Sequence, residues 1–192
     1  MAFSDPIEIF RALYRRASED LTEPDAMVLA TVDPSGKPSA RYVLLKGVDQ
    51  RGFVFYTNLG SRKAQALAAN PDAALCFYWG PIGIQVRIEG SVERVADTEA
   101  DAYFATRSRD SQIGAWASDQ SAALESRSLL DQRVAETNAR FEGKPVSRPP
   151  FWSGFRVIPR AIEFWTRDAA RLHVRERFER DGVNWRRTLL YP

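Results

Sequence analysis

Residues 26–58 read AMVLATVDPSGKPSARYVLLKGVDQRGFVFYTN, with three apolar segments separated by two short polar segments. The apolar segments span 26–32, 39–48 and 53–58 and are rich in Val, Leu, Phe and Tyr, several of which favour β-strands. The polar segments DPSGKP and DQRG contain the Asp, Pro and Gly residues that are typical of tight turns. This stretch therefore predicts an antiparallel meander of three strands.

Helical patterns precede and follow this meander. Residues 5–20 predict an amphipathic helix with Asp5 as its N-cap, and residues 60–71 predict a short helix with Ser61 as its N-cap. Further helices are expected over 97–109, from near Ser111, and over 121–142.

The remaining apolar segments predict more strands, over 73–79, 82–95, 155–166, 171–180 and 183–190. Six to eight antiparallel strands with a few helices between them are typical of a small β-barrel. We therefore expect a mainly β fold that forms one domain over residues 1–192, with helical insertions over 97–142 and C-terminal strands over 151–192.

The composition excludes several classes of protein. The 192 residues carry 27 Lys and Arg against 25 Asp and Glu, so there is no strong basic excess of the kind that nucleic-acid binding favours. A single Cys and a single His rule out an internal disulfide and make a protein-bound metal an unexpected feature. The first residues lack the pattern of a secretion signal, and no segment is as long and apolar as a membrane span, so a cytoplasmic location is expected.

The segment NLGSRKAQ, residues 58–65, places Arg62 and Lys63 in the first turn of a helix. The helix dipole makes that position unfavourable for cations, and the free backbone N–H groups there attract anions. Two explanations remain open. The two side chains extend into solvent, or they bind a phosphate group.

The segment DAYFATRSRDSQIGAW, residues 101–116, offers a second anion site. Tyr103 and Arg107 are four residues apart and would share one helix face, while Ser111 could cap the next helix. A phenol, a guanidinium and a hydroxyl could converge on one phosphate, although core packing is the simpler explanation for Tyr103 alone.

The segment ARLHVRERF, residues 170–178, contains the only histidine. If it forms a regular strand, Arg171, His173 and Arg175 lie on one face, because side chains alternate between the two faces of a strand. That face would suit an anionic ligand, and the alternative is an exposed strand edge that is rich in arginine.

Seven motifs in this order resemble the pyridoxamine 5′-phosphate oxidase family: RYVLLK, VFYTNLGSRKA, QVRIEG, RDSQIGAWAS-x-QS, FWSGFRV, IEFW and RLH-x-R. The resemblance covers roughly residues 5–192. It implies an FMN-binding split β-barrel that is antiparallel and homodimeric, with active sites at the subunit interface. It also implies oxidation of pyridoxine or pyridoxamine 5′-phosphate to pyridoxal 5′-phosphate, with O₂ reduced to hydrogen peroxide.

The resemblance implies a set of residues for each ligand. The FMN site would comprise Arg41, Tyr42, Val43, Leu44, Leu45, Lys46, Tyr56, Thr57, Arg62, Lys63, Gln85, Gln120, Ser121, Trp165 and Arg175, partly from the partner subunit. The substrate would contact Lys46, Tyr103, Arg107, Ser111, Arg171 and His173, with Arg171 and His173 at the reacting carbon.

Two positions depart from the family pattern. Ile84 stands where an Arg often precedes the Gln, and Val174 stands where an Asp is common between the His and the Arg. These changes keep two alternatives open: a related flavin oxidase with another substrate, such as a phenazine precursor, and a carrier of FMN or pyridoxal 5′-phosphate without turnover.

Overall fold

The computed structural model describes residues 5–192, and this part of the chain forms nine β-strands and five α-helices. The strands are β1 (Ala26–Val32), β2 (Pro38–Leu44), β3 (Gly47–Asp49), β4 (Gly52–Asn58), β5 (Asp72–Trp79), β6 (Ile84–Arg94), β7 (Trp152–Thr166), β8 (Val174–Asp181) and β9 (Asn184–Leu190). The helices are α1 (Pro6–Asp20), α2 (Arg62–Ala69), α3 (Asp97–Thr106), α4 (Arg109–Ala117) and α5 (Arg127–Arg140).

All nine strands belong to one antiparallel sheet, whose main order is β2-β1-β5-β6-β7-β4-β3. The long strand β7 is shared between two parts of the sheet. Along one edge it pairs with β6, and along the other its first half pairs with β4 and its second half with β8, which in turn pairs with β9. The sheet therefore divides at β7, and β8 and β9 extend from its second half.

The antiparallel pairing of β6 with β7 is irregular at one point. The register between these strands shifts between Glu89 and Gly90, as in a β-bulge. A Cβ atom on Gly90 would lie 2.0 Å from the carbonyl oxygen of Ile158, so only glycine allows the two backbones to approach so closely.

Helix α1 covers the main apolar core. Asp5 caps the helix by accepting a hydrogen bond from the Ile7 N–H at 2.9 Å, as predicted. Phe10 is completely buried and packs edge-on against Phe53 and Phe77, with ring centroids 4.8 and 5.1 Å apart. Burial of these aromatic rings is the main stabilising contribution of the helix.

The predicted strand and helix types are confirmed, and several boundaries were wrong. The strand predicted over 39–48 breaks after Leu44, because the Leu45 N–H donates to the carbonyl of Asp25 and the Lys46 N–H to that of Val54. The helix predicted over 121–142 begins only at Arg127. No helix in residues 5–192 is long and apolar enough to cross a membrane.

Candidate active site

A cleft of about 710 Å³ opens between the β2 and β4 strands, the start of α2 and the α3–α4 corner. Its lining includes eleven of the predicted site residues: Tyr42, Val43, Leu44, Lys46, Tyr56, Thr57, Lys63, Tyr103, Arg107, Ser111 and Gln120. It also includes residues that the sequence did not point to: Asn58, Ser108, Gly114, Ala115, Ser118 and Trp152. The cleft thus joins the two candidate phosphate sites.

Lys63 lines the cleft from the first turn of α2. Ser61 caps this helix as predicted, and the Lys63 Nζ donates to Gln120 Oε1 at 2.9 Å and to Thr57 Oγ1 at 3.2 Å. These acceptors are neutral, and no carboxylate forms an ion pair with Lys63 within the described chain. Burial, reinforced by the positive charge of Arg41, lowers the pKa of Lys63.

Arg41 and Arg62 add to this positive charge. The Arg41 guanidinium donates to the Leu29 carbonyl, Thr31 Oγ1 and Ser39 Oγ, all of them uncharged. Its pKa is lowered by burial first and by the charge of Arg62 second. Neither arginine lines the cleft with Lys63, and Arg62 lies with Ser121 beside a neighbouring hollow. A phosphate at the start of α2 would relieve the repulsion among the three cations.

Arg107 lines the same cleft beside Trp152. Its Cζ is 4.9 Å from the centroid of the Trp152 ring, and its Nη1 is buried with no hydrogen-bond partner among residues 5–192. Burial lowers the pKa of Arg107. A buried guanidinium nitrogen with an unused donor is costly, and an anionic ligand in the cleft would satisfy it.

The local structure around Arg107 differs from the prediction. Helix α3 ends at Thr106, so Tyr103 and Arg107 do not share a helix face, although both line the cleft. Ser108, and not Ser111, caps α4 by accepting from the Ser111 N–H. The Ser108 hydroxyl also donates to Ser111 Oγ at 2.8 Å, and both serines line the cleft together with Arg107.

Three aromatic rings form one wall of the cleft. Tyr56 stacks on Tyr103 with 4.0 Å between centroids, and on Trp152 with 5.3 Å between centroids. Burial, with smaller effects of Glu99 and Tyr103, raises the pKa of Tyr56 to about 12, so its phenol stays neutral at physiological pH. Trp152 belongs to the FWSGF motif and is the first, buried residue of β7. A Trp in that position is usual in a core, so the sequence did not indicate a binding role for it.

Among the predicted cleft cations, Lys46 alone has an acidic partner within residues 5–192. Its Nζ donates to Asp25 Oδ2 at 2.7 Å. In a regular strand Arg41 and Lys46 would lie on opposite faces. The break after β2 removes this constraint, and Lys46 lines the cleft. Leu45, within the same break, is buried in the core.

A second group of predicted residues lies away from the cleft, on β6, β7 and β8. Gln85, Trp165 and Arg175 are direct register neighbours across these three strands. The His173 ring lies 4.4 Å from the Trp165 ring. Glu163, which is only 3% exposed, accepts from the Arg175 Nε at 2.9 Å and thereby orients that guanidinium.

The expected alternation of Arg171, His173 and Arg175 on one strand face was wrong. Strand β8 begins only at Val174, and residues 168–173 form a turn in which Arg171 has a φ of 64°. The two departures from the family pattern lie in different surroundings, because Ile84 is buried in the core and Val174 is exposed. Within one chain, none of the residues that line the cleft belongs to this second group.

Comparison with known proteins gives consistent matches. Residues 15–141 match the family model of pyridoxamine 5′-phosphate oxidase, and residues 152–192 match that of the pyridoxine 5′-phosphate oxidase C-terminal dimerisation region. A pyridoxine/pyridoxamine 5′-phosphate oxidase of Myxococcus xanthus is 56% identical, over 98% of this chain and 92% of that protein. One of Rubrobacter xylanophilus is 57% identical, over 98% of this chain and 87% of that protein.

Two solved structures are also similar. PhzG from Burkholderia lata, in complex with tetrahydrophenazine-1-carboxylic acid, is 34% identical, with a TM-score of 0.94 over 99% of this chain and 94% of that one. An FMN-binding protein of Nostoc punctiforme is 17% identical, with a TM-score of 0.80 over the full length of both chains, and shows the fold alone. The predicted split-barrel fold is thereby confirmed.

Proposed function

The chain belongs to the pyridoxamine 5′-phosphate oxidase family, and we propose that it oxidises pyridoxine or pyridoxamine 5′-phosphate to pyridoxal 5′-phosphate. FMN is the cofactor, and when bound it takes up the two electrons and passes them to O₂, which becomes hydrogen peroxide. With the amine substrate, water enters and ammonia leaves. The observation that carries this proposal is one cleft lined by two cations, Lys63 and Arg107, that have no carboxylate partner among residues 5–192.

The residues at the Lys63 end fit the phosphate of FMN. Arg41, Arg62 and Lys63 form a positive group with only neutral hydrogen-bond partners around Arg41 and Lys63, and the α2 N-terminus adds its dipole. Thr57 and Gln120 hold the Lys63 ammonium in place. We assign the other FMN contacts to the remaining predicted residues: residues 42–46 at the end of β2 and in the break after it, Tyr56, Gln85, Ser121, Trp165 and Arg175.

The residues at the Arg107 end fit the phosphate of the substrate. Arg107 offers an unused buried donor, and Ser111 a hydroxyl. Tyr103 presents an aromatic face that is held by its stacking on Tyr56, and Lys46 adds a cation. These groups bind and orient the substrate, while Arg171 and His173 would approach its reacting carbon.

The second group of residues, on β6, β7 and β8, completes the site only if a partner subunit supplies it. We propose a homodimer in which the turn of one subunit, with Arg171 and His173, faces the cleft of the other. The match of residues 152–192 to a dimerisation region supports this arrangement. So does the exposure of four apolar side chains on β8, on β9, in the turn before β8 and directly after β9, namely Val174, Leu189, Leu172 and Tyr191. We place the enzyme in the cytoplasm.

The likeness to PhzG favours one alternative, oxidation of a phenazine precursor. A carboxylated ring without a phosphate would leave less anionic charge for the Arg107 and Ser108–Ser111 end of the cleft. Anaerobic mixing of the FMN-loaded protein with pyridoxine 5′-phosphate decides between them. Bleaching of the flavin absorbance, reversed by air with formation of pyridoxal 5′-phosphate, is the expected result. Flavin that stays oxidised with both the alcohol and the amine substrate would contradict the proposal.

A further inference from the structure

The turn between β7 and β8 is organised by one exposed carboxylate, that of Asp168. Its Oδ1 accepts hydrogen bonds from the Ala170 N–H at 2.8 Å and from the Leu172 N–H at 3.3 Å. The Asp168 carbonyl accepts from the Arg171 N–H at 3.2 Å. Three successive backbone bonds to one residue therefore close the turn.

The same turn imposes an uncommon backbone conformation on Arg171. Its φ of 64° lies in the left-handed region, which is unfavourable for a residue with a side chain. Asp168 Oδ1 accepts hydrogen bonds from the N–H groups on both sides of Arg171, those of Ala170 and Leu172, and these bonds hold Arg171 in this conformation. The direction in which the guanidinium leaves the chain thus depends on Asp168.

The turn also determines which nitrogen of His173 carries a proton. The Asp168 backbone N–H donates to His173 Nδ1 at 3.1 Å, so Nδ1 acts as the acceptor. A neutral imidazole has one acceptor nitrogen and one N–H, which places the proton on Nε2. The ring is held from its side by Trp165, at 4.4 Å between centroids.

We propose that Asp168 is a positioning residue of the oxidase, and that it fixes His173 as a hydrogen-bond donor through Nε2 toward the substrate. The inference rests on the proposed function for the part played by Arg171 and His173 at the substrate. In this arrangement neutral His173 cannot accept a proton at Nε2. It donates to an acceptor atom of the substrate, and Arg171, whose guanidinium has only donor groups, binds and orients the substrate beside it.

The test uses the fact that His173 is the only histidine of the chain, so its imidazole nitrogen signals need no assignment. Long-range ¹H–¹⁵N spectra of the FMN-loaded protein, at a pH of about 8.5 where a histidine is neutral, distinguish the two tautomers. We expect one fixed tautomer with the proton on Nε2. In D168A we expect averaged signals from two tautomers, and kcat/KM for pyridoxine 5′-phosphate lower by about tenfold, which is about 1.4 kcal/mol.

Two further variants separate positioning from a general loss of structure. In D168N the amide oxygen can still accept both turn bonds, so the tautomer and most of kcat/KM should be retained. In D20A the same charge is removed from an exposed residue at the end of α1, and neither the tautomer of His173 nor kcat/KM should change. FMN affinity should stay within about twofold in all three variants, because neither Asp168 nor Asp20 is assigned to the FMN site.

A proton on Nδ1 in the unaltered protein would overturn the inference. So would a D168A variant that keeps both the tautomer and kcat/KM. A protein that oxidises neither substrate, yet loses the Nε2 tautomer in D168A, would contradict the proposed function and support the positioning of His173 by Asp168.

Discussion

The guanidinium of Arg107 lies over the indole ring of Trp152, and its Nη1 is buried without a partner in residues 5–192. The indole face stabilises the cation by a cation–π contact but cannot accept the in-plane hydrogen bonds of the guanidinium. The protein thus keeps a buried donor available in the cleft, as a site for a phosphate requires.

Replacing Arg107 by Leu should weaken the productive binding of pyridoxine 5′-phosphate. A hydrogen bond to a charged group contributes about 1.5–3 kcal/mol, so kcat/KM should fall by roughly 10- to 100-fold, mainly through KM. Arg107→Lys keeps the charge and loses the planar guanidinium. Its kcat/KM should therefore lie between that of the unaltered protein and that of Arg107→Leu. Steady-state rates with the phosphorylated substrate measure the effect, and an unchanged KM in Arg107→Leu would place the substrate phosphate elsewhere.

Lys63 gives FMN binding a predictable pH dependence. Burial and the charge of Arg41 lower the pKa of Lys63 below its ordinary value of 10.5, and a bound phosphate favours the charged form. FMN binding to the deprotonated protein is therefore coupled to proton uptake, and affinity should fall as the pH rises through the lowered pKa. Fluorescence titration of the apoprotein with FMN follows this loss.

Two variants of Lys63 identify the group that titrates. Lys63→Met should bind FMN about tenfold or more weakly, because a charge-assisted bond is lost, and it should lack this alkaline decline. Lys63→Arg should retain most of the affinity and also lack the decline, since a guanidinium stays charged in this range. The same alkaline decline in all three proteins would assign it to a group other than Lys63.

The contrast between α2 and the β7–β8 turn shows what the sequence could predict. At α2, cap and cations are adjacent in the chain, so local rules located Ser61, Arg62 and Lys63 correctly. At the turn, the hydrogen bonds of Asp168 override the strand pattern of ARLHVRERF, which periodicity alone cannot reveal.

The cleft itself depends on contacts between residues that are distant in sequence. Thr57 and Gln120 are 63 residues apart in sequence, and the Thr57 hydroxyl donates to Gln120 Oε1 at 3.0 Å. Trp152 joins the aromatic wall from a third region of the chain. The family resemblance supplied the names of most cleft residues. It assigned no role to Trp152 or Ser108. Local sequence rules did not identify them either, because their patterns are those of core packing and helix capping.

The proposed homodimer can be tested at β9. Leu189 is 67% exposed and lies in the region that matches a dimerisation domain, so burial against a partner would stabilise the dimer. Leu189→Arg should shift the protein toward monomers in light scattering and lower oxidase activity in parallel, if the site needs both subunits. Leu124→Arg, at an exposed apolar residue before α5, is the matched control and should remain dimeric. Full activity of a monomeric Leu189→Arg protein would contradict the shared site.

Arg156 links the core to the helix that carries Tyr103. It is 3% exposed on β7, and its guanidinium donates to Glu99 of α3 at 2.8 Å and to Asp49 at 2.9 Å. Arg156→Met would leave both carboxylates without their buried partner. Because these carboxylates are partly exposed, we expect a loss of about 2 kcal/mol in the free energy of unfolding, below the 3–5 kcal/mol of fully buried pairs.

The same change should affect substrate binding more than FMN binding. Without the bond to Glu99, α3 is held less firmly and Tyr103 no longer keeps its fixed distance from Tyr56, so KM should rise severalfold. Urea unfolding and steady-state kinetics measure the two effects, and Glu93→Gln is the control. Glu93 lies 4.0 Å from the Arg156 Nε and is largely exposed, so its change should cost less than about 0.5 kcal/mol. Equal losses of stability in the two variants would contradict this prediction. They would show that the buried Arg156 contributes no more to holding α3 than an exposed charge does.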